Sequence, residues 1–157
     1  MPSSDLTAAN EFRMADSALA LPTEFASRFQ LGQAQLDGYL SSVHGGHPVH
    51  SSDTLARAAG FSGIPLAGAH VVGAALAAFT KCFERRPIQL LAIRSRFLLP
   101  VYPGDMVTLE VLLDTESVKT RARYQSGQYS GSCSLENGQK AVDLEIELRL
   151  VLADTAD

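Results

Sequence analysis

The chain has 157 residues, 46% hydrophobic and 19% charged, and a formal net charge of −4. That balance suits a single folded domain with a real core, and its acidic sign argues against unspecific binding to nucleic acid or to an anionic membrane. Cys82 and Cys133 are too few for a disulfide framework and have apolar or small neighbours, so buried free thiols in a reducing, cytoplasmic setting are expected.

Residues 1–22 read as an N-terminal arm. They are small and polar, end in Pro22, and lack the basic start and apolar run of a secretory signal. One domain is expected over 23–152, with a short tail over 153–157. Phe25–Leu31 alternates enough for a first strand. From Gln33 to Val43, Leu36, Tyr39, Leu40 and Val43 recur at spacings of three and four, one apolar face of a helix. Gly45 and Gly46 end it, each penalising continuation by about 1 kcal/mol. Pro48 pushes His47 towards an extended conformation.

Ser51, Ser52 and Asp53 offer N-cap side chains to a short helix over Thr54–Ala59, closed by Gly60. A turn over Phe61–Pro65 leads into a long helix at about 66–84. Its first part, 66–79, is almost wholly Leu, Ala, Val and Gly, which lets a helix press closely against a sheet. That run falls short of the ~20 residues that span a bilayer, so a soluble protein with no membrane segment is expected. Lys81, Arg85 and Arg86 suit the negative end of the helix, and Pro87 follows.

The period then changes. Ile88–Leu99 reads as a strand in which Ile93, Ser95 and Phe97 alternate with Arg94, Arg96 and Leu98. Pro100–Asp105 is a link in which Asp105 shapes the turn. Met106–Leu113 is a strand, Asp114–Ser117 a turn, and Val118 to about Gln125 a further strand. Gly127 and Gly131 mark a break before Ser132–Glu136. Asn137-Gly138 is a strong hairpin signal. In Ala141–Leu152, Val142, Leu144, Ile146, Leu148 and Leu150 alternate with Asp143, Glu145, Glu147 and Arg149, giving one buried and one wet face. Helices segregated to one face of an antiparallel sheet make an α+β domain.

Chemistry is expected around the start of the long helix. Three of the four histidines, His44, His47 and His50, lie just upstream of it, and the fourth, His70, lies within it. The spacing H-x-x-H-x-x-H is no standard zinc motif. Neither a metal nor another cofactor is expected.

Three segments carry a family resemblance. HGGHPVH (44–50) resembles the catalytic D-x-N-P-x-H segment of MaoC-like, R-specific enoyl-thioester hydratases and dehydratases. AAGFSGIPLAGAH (58–70) resembles their turn into the central helix. RFLLPVYPGDMVTLEV (96–111) resembles their R-F-x-x-P-V-x-x-G-D block. With the final hairpin, matched in pattern only, the resemblance covers roughly residues 25–151. It implies a hot-dog fold: a long central helix wrapped by a curved antiparallel sheet and dimerised edge to edge, as a homodimer or dimer of dimers. It also implies an acyl thioester substrate, on coenzyme A or an acyl carrier protein.

In that family an Asp and a His hold the water, and backbone N–H groups at the helix start receive the thioester oxygen. The resemblance therefore assigns catalysis to His50 and the oxygen site to the N–H of Gly68 or Ala69. Gly45 stands where the family has its Asp, and His47 where it has its Asn. A glycine has no side chain to deprotonate anything, so His44 or His47 either replaces the missing group or is plain loop polarity. His70 lines the pocket or fills the core. Asp53 is read as a helix cap. Arg94 and Arg96 either attract a phosphate of the carrier or simply face water. A divergent dehydratase or hydratase, or a related lyase or isomerase, is the leading expectation, in a specialised acyl or polyketide pathway. The alternatives are a thioesterase, disfavoured because 66–83 has no Asp or Glu, and a catalytically altered acyl-thioester-binding protein.

Overall fold

The computed structural model describes residues 20–152. In chain order it has β1 (Glu24–Gln30), α1 (Gln33–Ser42), α2 (Asp53–Ala58), α3 (Gly68–Thr80), β2 (Ile88–Phe97), β3 (Met106–Arg121), β4 (Tyr124–Leu135) and β5 (Lys140–Val151), with short 3₁₀ turns at Pro48–His50 and Lys81–Phe83. The tail over 153–157, and all of the arm before residue 20, lie outside the described residues. Leu21, assigned above to the arm, is a core residue.

The alternation of β5 sets the core. Val142, Leu144, Ile146, Leu148 and Leu150 are each at most 2% exposed. Against this face α3 lays Val71, Ala75 and Phe79, one residue per turn. The five strands run antiparallel in the order β1-β3-β4-β5-β2. Thus β2, the strand that directly follows α3, is an edge, and the chain must cross the sheet to begin β3. Leu98 and Leu99 N–H still bond the Ala141 carbonyl, and Leu66 N–H bonds the Val101 carbonyl. These bonds tie the crossing to both β5 and the entry of α3. Asp105 closes its turn by accepting from Tyr102 N–H at 2.8 Å.

Several boundaries differ from expectation. The long helix is shorter than 66–84 because Leu66 is engaged by Val101, and the 3₁₀ turn takes over at Lys81. Arg86 serves that end as expected of a cation there, donating from Nε to the Phe83 carbonyl, and it also holds the Ala20 carbonyl. Val43 does not join the buried face of α1; it is the C-cap residue and is exposed. Ser52, not Asp53, caps α2, its hydroxyl accepting from Leu55 N–H. Asp53 sits one residue inside and pairs with Arg57 at 2.7 Å.

The expected turn at Asp114–Ser117 does not reverse the chain. The register jumps from Asp114↔Gln128 to Lys119↔Ser126, so the extra residues bulge out of β3. Asp114 Oδ1 accepts from Glu116 N–H, and Ser117 Oγ accepts from Gln128 N–H, which satisfies the displaced backbone. The reversal comes later, between Arg121 and Tyr124. Gly127 and Gly131 likewise make no break; both lie inside β4 and face the core. A Cβ on Gly127 would fall 2.9 Å from Leu113 Cδ1, and one on Gly131 2.9 Å from the Glu110 carbonyl oxygen. Glycine there permits close approach rather than a turn.

Buried Gln125, 2% exposed, was not singled out by the sequence. Its Oε1 accepts from both Ala20 and Leu21 N–H, and its Nε2 donates to Thr120 Oγ1. One side chain thereby anchors the chain where it enters the fold. Among the described residues no helix is long and apolar enough to cross a membrane.

Candidate active site

The loop from α1 to α2 is shaped by how α1 ends. His44 N–H bonds the Ser41 carbonyl and Gly45 N–H the Leu40 carbonyl, a Schellman closure with His44 at φ 57° in the left-handed region. Gly45 follows at φ 99° and Gly46 at φ 60°. Gly45 thus supplies a backbone cap to a helix. His44 and Gly45 are both exposed. His47 opens the 3₁₀ turn, its Nδ1 accepting from Val49 N–H at 3.2 Å.

That turn delivers His50 beside the start of α3. Its Nδ1 lies 3.0 Å from the Pro65 carbonyl oxygen. A carbonyl only accepts, so in the neutral ring Nδ1 carries the proton and Nε2 keeps its lone pair.

Opposite stands the first turn of α3. Ala67 is its N-cap and offers no side-chain cap. The intrahelical bonds start with the N–H groups of His70 and Val71, both to the Ala67 carbonyl. The N–H groups of Gly68 and Ala69 are among the donors that a helix start cannot pair internally, and the helix dipole adds positive potential there.

Between these walls is a cavity of about 420 Å³. His50, Pro65, Gly68 and Ala69 line it together with Phe61, Leu66, Val71, Phe97, Leu98, Leu99, Pro100, Val101 and Val142. His50 is the single ionisable side chain in that lining. The apolar remainder lowers the local dielectric, which strengthens donors aimed at developing charge.

The structure therefore brings His50, Gly68 and Ala69 together around one space. It leaves His44, Gly45 and His47 in the exposed loop, outside the lining residues. His70 is also outside the lining. Its ring stacks on Tyr39, centroids 4.6 Å apart and planes within 4°, its Nδ1 is buried without a partner, and burial holds its pKa below the ordinary imidazole value. Arg94 and Arg96 lie on the sheet face away from α3; Arg94 reaches Glu145 at 3.7 Å, and both residues are exposed. Among the described residues no group of three His, Cys, Asp or Glu is arranged to hold a metal ion. Cys133 is buried and Cys82 half-buried, and burial pushes their thiols up to about 11 and about 12.

Sequence reasoning missed the wall supplied by Phe97. Its ring lies so close to Gly68 that a Cβ there would fall 2.6 Å from Cε1, 2.7 Å from Cζ and 3.0 Å from Cδ1. A glycine at a helix start, with a phenylalanine ending the next strand, was the available signal.

A family model described as MaoC like domain matches residues 22–130. Among curated proteins none matches significantly. Similar solved structures include an (R)-hydratase from A. caviae involved in PHA biosynthesis, 18% identical, with TM-score 0.69 and coverage of 85% of this chain and 98% of that one. A MaoC-like dehydratase from Rhodospirillum rubrum is 15% identical, TM-score 0.71, covering 87% and 95%. The HadBC (3R-hydroxyacyl-ACP dehydratase) complex from Mycobacterium tuberculosis is 19% identical, TM-score 0.67, covering 81% and 93%.

Proposed function

The chain belongs to the MaoC-like domain family and has its hot-dog fold, and from that premise we propose a divergent hydratase or dehydratase acting on an enoyl or 3-hydroxyacyl thioester of coenzyme A or an acyl carrier protein. One observation carries the reading: His50, its tautomer set by the Pro65 carbonyl, shares an apolar cavity with the unpaired N–H groups that open α3.

In hydration, the thioester oxygen gathers negative charge as water adds to the β-carbon. The N–H groups of Gly68 and Ala69 stabilise that oxygen. His50 Nε2 accepts a proton from the attacking water and returns it to the α-carbon, so the ring ends neutral as it began. In dehydration the same atoms move in reverse. The Gly45 position adds no second general base, which sets this site apart from the family pattern and makes slow turnover the expectation.

The same feature favours a second reading, a catalytically altered protein that binds acyl thioesters without turning them over. Incubation with crotonyl-CoA, followed by loss of enone absorbance, separates the two. Turnover that falls on His50→Ala supports the enzyme. Tight binding without turnover supports the second reading. Turnover unaffected by His50→Ala overturns the assignment of that residue.

The assembly is an edge-to-edge homodimer in a cytoplasmic setting. The support is β2, a ten-residue edge strand bearing Leu90, Leu91, Ile93 and Phe97, with Leu98 just beyond, all exposed in the single chain. Such an edge seeks a partner strand. Sedimentation equilibrium giving a monomer would remove this part of the proposal.

A further inference from the structure

The cavity wall nearest the helix start is Phe97. Three ring atoms lie within 3.0 Å of where a Cβ on Gly68 would be, so the ring packs directly on the backbone of the residue whose N–H is to receive the thioester oxygen. Val142, the cross-strand neighbour of Phe97, lines the same cavity. The ring is nonetheless 53% exposed. In the single chain it is held on the Gly68 side at the end of β2, the edge strand proposed above to pair in a homodimer, and it lines the cavity.

We propose that Phe97 is the specificity-determining residue of this site: its ring limits the bulk of the acyl group that can lie beside the amino end of α3. This rests on the acyl-thioester reading of the cavity. A short acyl group fits with the ring against Gly68. A longer one must share that space with the ring or push it aside, and displacement costs the ring its contact with the helix. The lining offers no polar side chain but His50, so selection is by volume alone. In an apolar pocket each methylene alters discrimination by roughly 10- to 200-fold.

The test compares wild type, Phe97→Leu and Phe97→Ala on crotonyl-CoA and trans-2-octenoyl-CoA, with the saturated butanoyl- and octanoyl-CoA measured for binding by calorimetry. Phe97→Ala is expected to raise the octenoyl-to-crotonyl ratio of kcat/KM by roughly tenfold or more, chiefly through KM. Phe97→Leu should fall between. The calorimetric ratio of affinities should move the same way. A merely structural role would lower both substrates together and leave the ratio in place. A ratio unchanged within about twofold, in variants that melt as cooperatively as wild type, overturns the role of Phe97 while leaving the acyl-thioester reading intact. Wild type that neither binds nor turns over any of the four thioesters overturns the reading and this inference with it. If wild type binds without turnover, the affinity ratio alone decides: a tenfold shift sustains the inference, and an unchanged ratio ends it.

Discussion

The two ends of α3 are built on opposite principles. At the carboxyl end, Phe79 meets Phe25, Phe83 and Tyr129 with ring centroids 5.7, 5.4 and 5.0 Å apart. All four are nearly inaccessible, the 3₁₀ turn tightens the last carbonyls, and Arg86 bonds the Phe83 carbonyl. At the amino end there is no side-chain cap, the residues are glycine and alanine, and the nearest ring, Phe97, is half exposed in the single chain. Aromatic edge-to-face packing fixes the helix where no chemistry is needed. The other end can then keep donors unpaired without the helix moving. On the proposed function, stability and reactivity are separated along one element.

That contrast can be broken most severely at the reactive end. Replacing His50 by Ala should reduce hydration of crotonyl-CoA by roughly 10²- to 10⁴-fold, while the urea midpoint stays near wild type. At the packed end the outcome should invert. Phe79→Ala should cost about 3–5 kcal/mol of stability in urea unfolding, with little change in activity per folded molecule under stabilising conditions. Gln125→Leu tests the anchor beside the packed end. Leaving the N–H groups of Ala20 and Leu21 without their acceptor should cost about 1–3 kcal/mol, again in urea titration.

The smallest effect belongs to His70, in the first turn of α3. Its pKa is depressed in the fold by desolvation, so near and below the ordinary value of 6.5 the unfolded chain binds more protons than the folded one. Stability is therefore full above that value and declines as pH falls through it, levelling below the folded pKa. His70→Phe keeps a ring against Tyr39 and cannot titrate. The difference in urea midpoint between pH 7.5 and pH 5 should be smaller for this variant than for wild type.

The sequence carried the packed half of this contrast better than the reactive half. The alternation of β5 and the small-residue run of α3 are periodic, and period survives without knowledge of neighbours. What escaped depends on contacts across the sheet. Gly127 and Gly131 looked like breaks because their crowding comes from Leu113 and Glu110 on another strand. The Asp114–Ser117 turn signal was real, but cross-strand bonds converted it into a bulge. Of the candidate site, His50, Gly68 and Ala69 were legible by resemblance to a motif. The rest of the wall comes from four separated stretches that only the fold assembles: the turn at Phe61, the start of α3, the end of β2 with the link after it, and Val142 on β5.

The left-handed backbone at Gly45 has a practical consequence for anyone wishing to convert this site. Writing an aspartate into that position would ask an L-residue to adopt φ 99° while its N–H caps α1. The carboxylate would come at the expense of the helix terminus. A productive redesign would have to re-engineer the whole His44–His47 connection, with its length and handedness, and not exchange a single letter.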